Sequence, residues 1–365
     1  MKVAYLLGSL NRGGAETLVL DELRNAKRAP FEMLLIHRKN GVLANAFAQA
    51  GVPMRMCPFK AGRIVSFIVK LRLILRQEHV DVVHTQQRLD AMLAHFATIG
   101  TEIKVVDTFH GFDTGYGWRE RLIVKLSRNW SDALVFVSQY EADHYISRYA
   151  IPKEKTHVVY NGIDFSKFDN VNEAPELPRH NPDSIRMAMV GNFGSGRDHL
   201  TVCRFLKLLH EKGICFDFYF VGRKNSDTPA LFEKCVDFCL ENGLSDCVHF
   251  LGQRGDVPAV LRQMDAFVYS TVHDTFGIAV VEAMAVGLPV FVNDWAVMKE
   301  LAENGKLATL YESRNEIDLL DKIMVFVRDK EVYQARAKMC KNIVREKYSI
   351  QKNVNDLASI YEKLL

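Results

Sequence analysis

The chain has 365 residues, 48% of them hydrophobic and 25% charged, with a net charge of only +3; that is too long for one ordinary domain and comfortable for two. No apolar run approaches the roughly 18 residues of a membrane span, and seven scattered cysteines argue for a reducing cytoplasm over a disulfide framework. Residues 1–168 carry 23 Lys+Arg against 16 Asp+Glu, while 169–365 carry 24 against 28, so a basic half precedes an acidic one and the two are expected to meet different partners.

The opening stretch 2-KVAYLLGSL-10 has too short an apolar core for a signal peptide and no small-residue cleavage site, and is read as a first strand. Strands follow at 33-MLLIH-37, 81-DVVH-84, 104-KVVDTF-109 and 133-ALVFVS-138, with helical patterns at 14–27, 63–78, 88–98, 117–130 and 139–148. The stretch 169-DNVNEAPELPRHNPDS-184 holds three prolines and little apolar content, which marks a linker. The rhythm then resumes with strands 186-RMAMVG-191, 216-FDFYFVG-222, 248-VHFLG-252, 266-AFVYS-270 and 289-PVFVN-293, and helical patterns at 198–211, 228–242, 256–263 and 277–286. Residues 331–365 read as one or two helices. The strands are nearly continuous apolar runs, as strands buried on both faces are, so the sheets are expected to be parallel with helices on each side. The fold class is α/β: two doubly wound lobes, at 1–168 and 185–345, with 346–365 as a C-terminal helix. Cys235 and Cys239 share a helix face without zinc spacing and are read as buried thiols.

In doubly wound folds ligands sit at the carboxyl ends of strands, and several unusual residues lie there. Gly13 and Gly14, in 8-GSLNRGGAE-16, open a helix after the first strand, where free backbone amides suit a phosphate. His110, in 108-TFHGFD-113, follows a strand and is a candidate for substrate contact or proton handling. In 190-VGNFGSGRDH-199, Gly191 and Arg197 are placed to hold a diphosphate, since a guanidinium forks onto phosphate oxygens. Arg223, in 221-VGRKN-225, ends the next strand on the same rim. In 273-HDTFGIAVVEAMAVGLPV-290 two acids interrupt an apolar run, where an uncompensated charge is costly. Asp274 lies before the helix start at Phe276-Gly277, and Glu282 lies two turns in, so the two acids can grip separate ends of one ligand with helix amides between them.

The order GGAE, a His after a strand, 159-VYNGID-164, and then D-x-F-G-x4-E-A-M-A-x-G-L-P-V resembles the retaining glycosyltransferases of family 4 over essentially the whole chain. The resemblance implies the GT-B fold, two facing Rossmann-like lobes with a cleft between them: 1–168 binding the acceptor, 185–345 binding a nucleotide-sugar donor, and 346–365 crossing back to the first. It implies that Glu282 binds the ribose of the donor, that Asp274 contacts the transferred sugar, and that the Phe276-Gly277 amides face that sugar and the diphosphate. Gly13-Gly14 close over the diphosphate, and His110 contacts donor or acceptor near the reacting carbon. Two departures stand out. Asp274 occupies a place where Glu is usual, and Asn192 occupies the first place of a basic pair whose second is Arg197; Arg223 is the candidate to restore that charge.

No Asp-x-Asp occurs, so no essential metal and no cofactor are expected, and departing diphosphate charge falls to amides and guanidinium groups. The basic amphipathic segments 60-KAGRIVSFIVKLRLILRQ-77 and 117-GWRERLIVKLSRNW-130 suit peripheral contact with an anionic membrane, which would be the inner face of the cell membrane for a cytoplasmic enzyme. A glycan or lipid-linked acceptor in polysaccharide or lipopolysaccharide synthesis fits, and a nucleic-acid partner does not. The alternatives are a nucleotide-sugar epimerase on the same scaffold and a non-catalytic sugar-nucleotide-binding subunit.

Overall fold

The structure is a computed structural model and describes residues 1–60, 62–113, 117–169 and 176–365; residues 170–175 of the expected linker 169–184 therefore lie outside the described residues. The chain divides into two units, Met1–Asp164 with Tyr348–Leu365, and Phe165–Lys347.

The first unit holds a seven-stranded sheet of β1 Lys2–Leu7, β2 Glu32–His37, β3 Met54–Met56, β4 Val82–Thr85, β5 Lys104–Phe109, β6 Ala133–Phe136 and β7 Thr156–Val158, in the order β3-β2-β1-β4-β5-β6-β7. The second holds β8 Ile185–Val190, β9 Phe216–Val221, β10 Val248–Phe250, β11 Ala266–Tyr269, β12 Val290–Asn293 and β13 Thr309–Tyr311, in the order β10-β9-β8-β11-β12-β13. Every strand pairing within the two sheets is parallel, as the unbroken apolar strands predict. The order reverses between β1 and β4 in one sheet and between β8 and β11 in the other, and such switch points are where doubly wound sheets open a crevice for ligands. The sequence reading misses β3, β7 and β13, each three residues long at a sheet edge. It also misses helices Ala44–Gln49, Ala296–Leu301 and Glu316–Arg328.

The tail forms two helices, Lys330–Lys347 and Ile350–Leu364, and Ser349 between them caps the second by accepting from the Lys352 amide at 3.1 Å. This last helix buries Val354, Leu357, Ala358 and Tyr361 in the core of the first unit. Its seat is 159-VYNGID-164. Ile163 forms a bridge to Ser349, and Tyr160 O accepts from Asn353 Nδ2 at 2.8 Å. Deeper in, the Tyr361 hydroxyl is joined to His84 Nδ1 at 2.6 Å and His84 Nε2 to Thr108 Oγ1 at 2.6 Å; burial first, then the nearby His110, pushes His84 down to about 3, so a neutral ring bridges the tail and the strands.

A Cβ on Gly162 would stand 2.7 Å from both Asn353 Cβ and Ile350 Cα, a clash with a helix backbone that cannot be relieved by a rotamer. Gly162→Ala is expected to cost about 1–3 kcal/mol, read as a lowered melting temperature, whereas Gly255→Ala, which meets nothing within 4 Å, leaves stability unchanged.

Candidate functional site

The candidate residues fall into two groups, one at each switch point. In the second unit, the loops leaving β8, β9 and β11 are tied together by their backbones. Gly191 N donates to Val221 O at 2.8 Å, and a Cβ on Gly222 would lie 2.0 Å from Gly191 O, so only glycine lets these loops approach. Asn192 Oδ1 accepts from the Arg223 amide at 3.1 Å, and Phe193 N donates to Arg223 O at 3.0 Å. The Asn192 side chain thus fixes the Arg223 backbone, while the Arg223 residue is exposed. Behind this loop the His199 ring stacks on Phe193 at 4.0 Å, with Nε2 3.3 Å from Gly191 O. Burial pushes His199 down to about 3 against the opposing pull of that carbonyl, so it serves as a neutral prop.

Arg197 sits where the β8 and β11 loops meet, its backbone bridged antiparallel to Thr271. Its guanidinium lies over the Tyr269 ring at 5.2 Å, and its Nη2 is 3.3 Å from Asp274 Oδ2. The Tyr269 hydroxyl donates to the same carboxylate oxygen at 2.8 Å. Burial first, then the charge of Asp274, holds Tyr269 well above the usual phenol range, which keeps it a donor. The Asp274 side chain is 12% exposed and that of Arg197 25%, so both reach the surface from a largely buried base. Asp274 is held from its main chain too, since its carbonyl accepts from Trp295 Nε1 at 3.3 Å. Asn293 clamps the loop from below, accepting from Thr271 N at 2.9 Å and donating to Thr271 O at 2.8 Å. Sequence reasoning missed Tyr269, Asn293 and Trp295.

The helix after this loop, Ile278–Val286, starts at Gly277 with φ +96° and has no side-chain cap. The left-handed backbone turns the chain sharply and leaves first-turn amides without a helical acceptor. Phe276 is buried and packs the turn down, and Glu282 is half-buried in the second turn. An uncapped helix start with a carboxylate before it and another within it can hold an anionic group and its hydroxyl-bearing neighbours at once.

At the first switch point, Gly13 is the N-cap of helix Gly14–Arg24, again with no side-chain cap. Its carbonyl takes both the amide and the hydroxyl of Thr17, at 3.0 and 2.8 Å. His110 follows β5, and its Nε2 is 2.6 Å from Oε1 of Gln86, which follows β4. Burial first, then the charge of Arg88, pushes His110 down to about 3, so the ring is neutral at any working pH. Gln86 is 4% exposed and was not singled out from sequence.

The model described as Glycosyltransferase Family 4 matches residues 12–167, and the model described as Glycosyl transferases group 1 matches 171–346. The UDP-Gal:alpha-D-GlcNAc-diphosphoundecaprenol alpha-1,3-galactosyltransferase of Escherichia coli is 23% identical over 99% of this chain and 96% of its own. The N,N'-diacetylbacillosaminyl-diphospho-undecaprenol alpha-1,3-N-acetylgalactosaminyltransferase of Campylobacter jejuni is 24% identical over 80% of this chain and 79% of its own. Among solved structures, Anabaena Alr3699/HepE in complex with UDP superposes with a TM-score of 0.86 at 17% identity, covering 100% of both chains. With two parallel-sheet units of this topology and family models matching each, the chain belongs to the family 4 type of glycosyltransferase, built on the GT-B fold.

Proposed function

We propose that the protein is a retaining transferase that moves a sugar from a nucleoside diphosphate to a glycan or lipid-linked acceptor in cell-surface polysaccharide or lipopolysaccharide synthesis. The observation that carries this reading is the second switch point, where the Arg197–Asp274 pair precedes the uncapped Gly277 helix start and Glu282 lies in the second turn of the same helix. Glu282 takes the ribose hydroxyls, Asp274 faces the sugar, and the amides near Phe276-Gly277 with Arg197 take the diphosphate. Gly191 lets that group approach, Asn192 fixes Arg223, and Arg223 supplies the second cation. In the first unit, the Gly13-Gly14 amides are read as donor-binding groups and His110 as a catalytic one. As the bond from the anomeric carbon to the diphosphate oxygen breaks, the acceptor hydroxyl oxygen bonds to that carbon on the same face and its proton passes to the departing phosphate. The developing charge is met by groups already in place, so little reorganisation is needed, and no metal is required. The relatives named for UDP-Gal and for diphospho-undecaprenol acceptors support donor and acceptor classes of this kind.

Membrane contact on the cytoplasmic side completes the proposal. All seven cysteines are free, in keeping with a reducing compartment. Helix Ile64–Gln77 buries Phe67, Leu71 and Leu75, yet leaves Val65 75%, Val69 52% and Leu73 53% exposed beside its basic residues. Helix Trp118–Trp130 leaves Trp118 72% exposed beside a groove lined by Arg121, Lys125, Arg128 and Arg148. A second apolar stripe flanked by cations is the pattern of a helix that rests on anionic lipid.

Three measurements test these points. In a panel of UDP-, GDP- and ADP-sugars with EDTA present, one donor is expected to raise the melting temperature by mass action and to release its nucleoside diphosphate, with both lost in Glu282→Ala. Binding without release, even with membrane lipid added as acceptor, favours the epimerase or the binding subunit. Arg223→Ala is expected to weaken that donor about 10- to 100-fold, as loss of a charged hydrogen bond does, and close to the loss in Arg197→Ala; unchanged affinity removes Arg223 from the site. In flotation with phosphatidylglycerol vesicles, the wild-type chain is expected to float at low salt, and a Val65→Ser, Val69→Ser, Leu73→Ser variant to stay behind with its melting temperature unchanged. A wild-type chain that does not float ends the membrane proposal.

A further inference from the structure

From the first switch point we infer that Gln86 is a positioning residue that sets the tautomer of His110. Gln86 follows β4, His110 follows β5, and the two strands are neighbours. The side chains therefore leave adjacent strands at the same edge, and Gln86 Oε1 meets His110 Nε2 at 2.6 Å. An amide oxygen only accepts. The ring nitrogen facing it must then carry the hydrogen, and in a neutral imidazole that makes Nδ1 the nitrogen with the lone pair.

The surroundings hold the ring neutral. Arg88, from helix Arg88–Thr98, opposes protonation and donates to Gly111 O at 3.1 Å. His84 lies beneath on β4 and is itself neutral. Glu141, from helix Gln139–Tyr149, is pushed up to about 8 chiefly by burial and reaches the Gly111 backbone. Among these described residues, Arg88 is the cation beside the ring, and none of these groups favours a second proton on it. Gln86 is at once fully sheltered and uncharged, so it can orient the ring without raising its basicity. A carboxylate in its place would favour imidazolium. His110 consequently enters the transfer proposed above as a hydrogen-bond acceptor toward a hydroxyl, and not as an acid for the leaving diphosphate. This role rests on that reading; the tautomer itself does not.

The test uses the full chain with 15N-labelled histidine and long-range proton–nitrogen correlation, with His110 assigned by its loss in His110→Asn. The wild-type ring is expected to show a protonated Nε2 and an unprotonated Nδ1, unchanged between about pH 5.5 and 8.5, a window in which an ordinary histidine titrates near about 6.5. Gln86→Met, similar in shape but without an acceptor, is expected to lose the single tautomer, and Gln86→Glu to regain the protonated Nε2. A wild-type ring protonated at Nδ1, a mixture, a titration within the window, or a Gln86→Met ring that keeps Nε2–H overturns the inference. These signals need neither donor nor acceptor. Failure of the wild-type chain to release nucleoside diphosphate therefore counts against the transferase reading alone.

Discussion

A parallel sheet whose strand order reverses leaves a gap at the carboxyl end of its two central strands, because the connecting helices depart to opposite faces. Both sheets of this chain reverse once, between β1 and β4 and between β8 and β11. Gly13, Gly14, Gly191, Asn192, Arg197, Asp274, Phe276 and Gly277 sit on loops or helix starts that the reversals uncover, while His110 and Arg223 follow the neighbouring strands β5 and β9 and Glu282 lies in the second turn of its helix. The first gap is edged by the Gly13 helix start and the second by Arg197 and the β11 loop. The chemistry of each gap then follows from which side chains the flanking strands deliver. In the second unit Tyr269 at the end of β11 delivers a hydroxyl to Asp274, and Asn293 at the end of β12 delivers an amide to Thr271.

Burial disposes of charge beneath these edges. Glu22 and Glu141 are pushed up to about 8, and His84, His110 and His199 down to about 3, in each case by desolvation first. Around neutral pH these groups stand uncharged in the interior, where ionisation costs most. Arg197 and Asp274, by contrast, are paired and partly exposed. An anion arriving at the rim thus meets charges that are already oriented.

Much of this was legible in the sequence, for physical reasons. Strands buried on both faces are apolar throughout, so 2-KVAYLLGSL-10 or 216-FDFYFVG-222 announces itself. Glycines before helices mark free amides, and Gly13 and Gly277 both prove to be N-caps. The rest was hidden because its signal is not local. Tyr269 and Asn293 are polar residues at the ends of apolar runs, indistinguishable from ordinary strand termini until the neighbouring loops are in place. Gln86 follows a short strand and acquires meaning only from His110, a partner 24 positions away. The stretch 159-VYNGID-164 was legible as a signature, but its job of seating the last helix appears only once Asn353 and Ile350 are placed beside Gly162.

The return of Tyr348–Leu365 to the first unit makes the second unit an insertion within it. During synthesis the second unit is complete before the first has received its last helix. The sheet of the first unit emerges before the second unit, yet Val354, Leu357 and Tyr361 are missing from its core until the second unit has been made. A domain waiting on its final helix exposes apolar surface for the whole interval, and such surface is what chaperones engage. The order of maturation is therefore the reverse of the order of synthesis: the half that is made second finishes first.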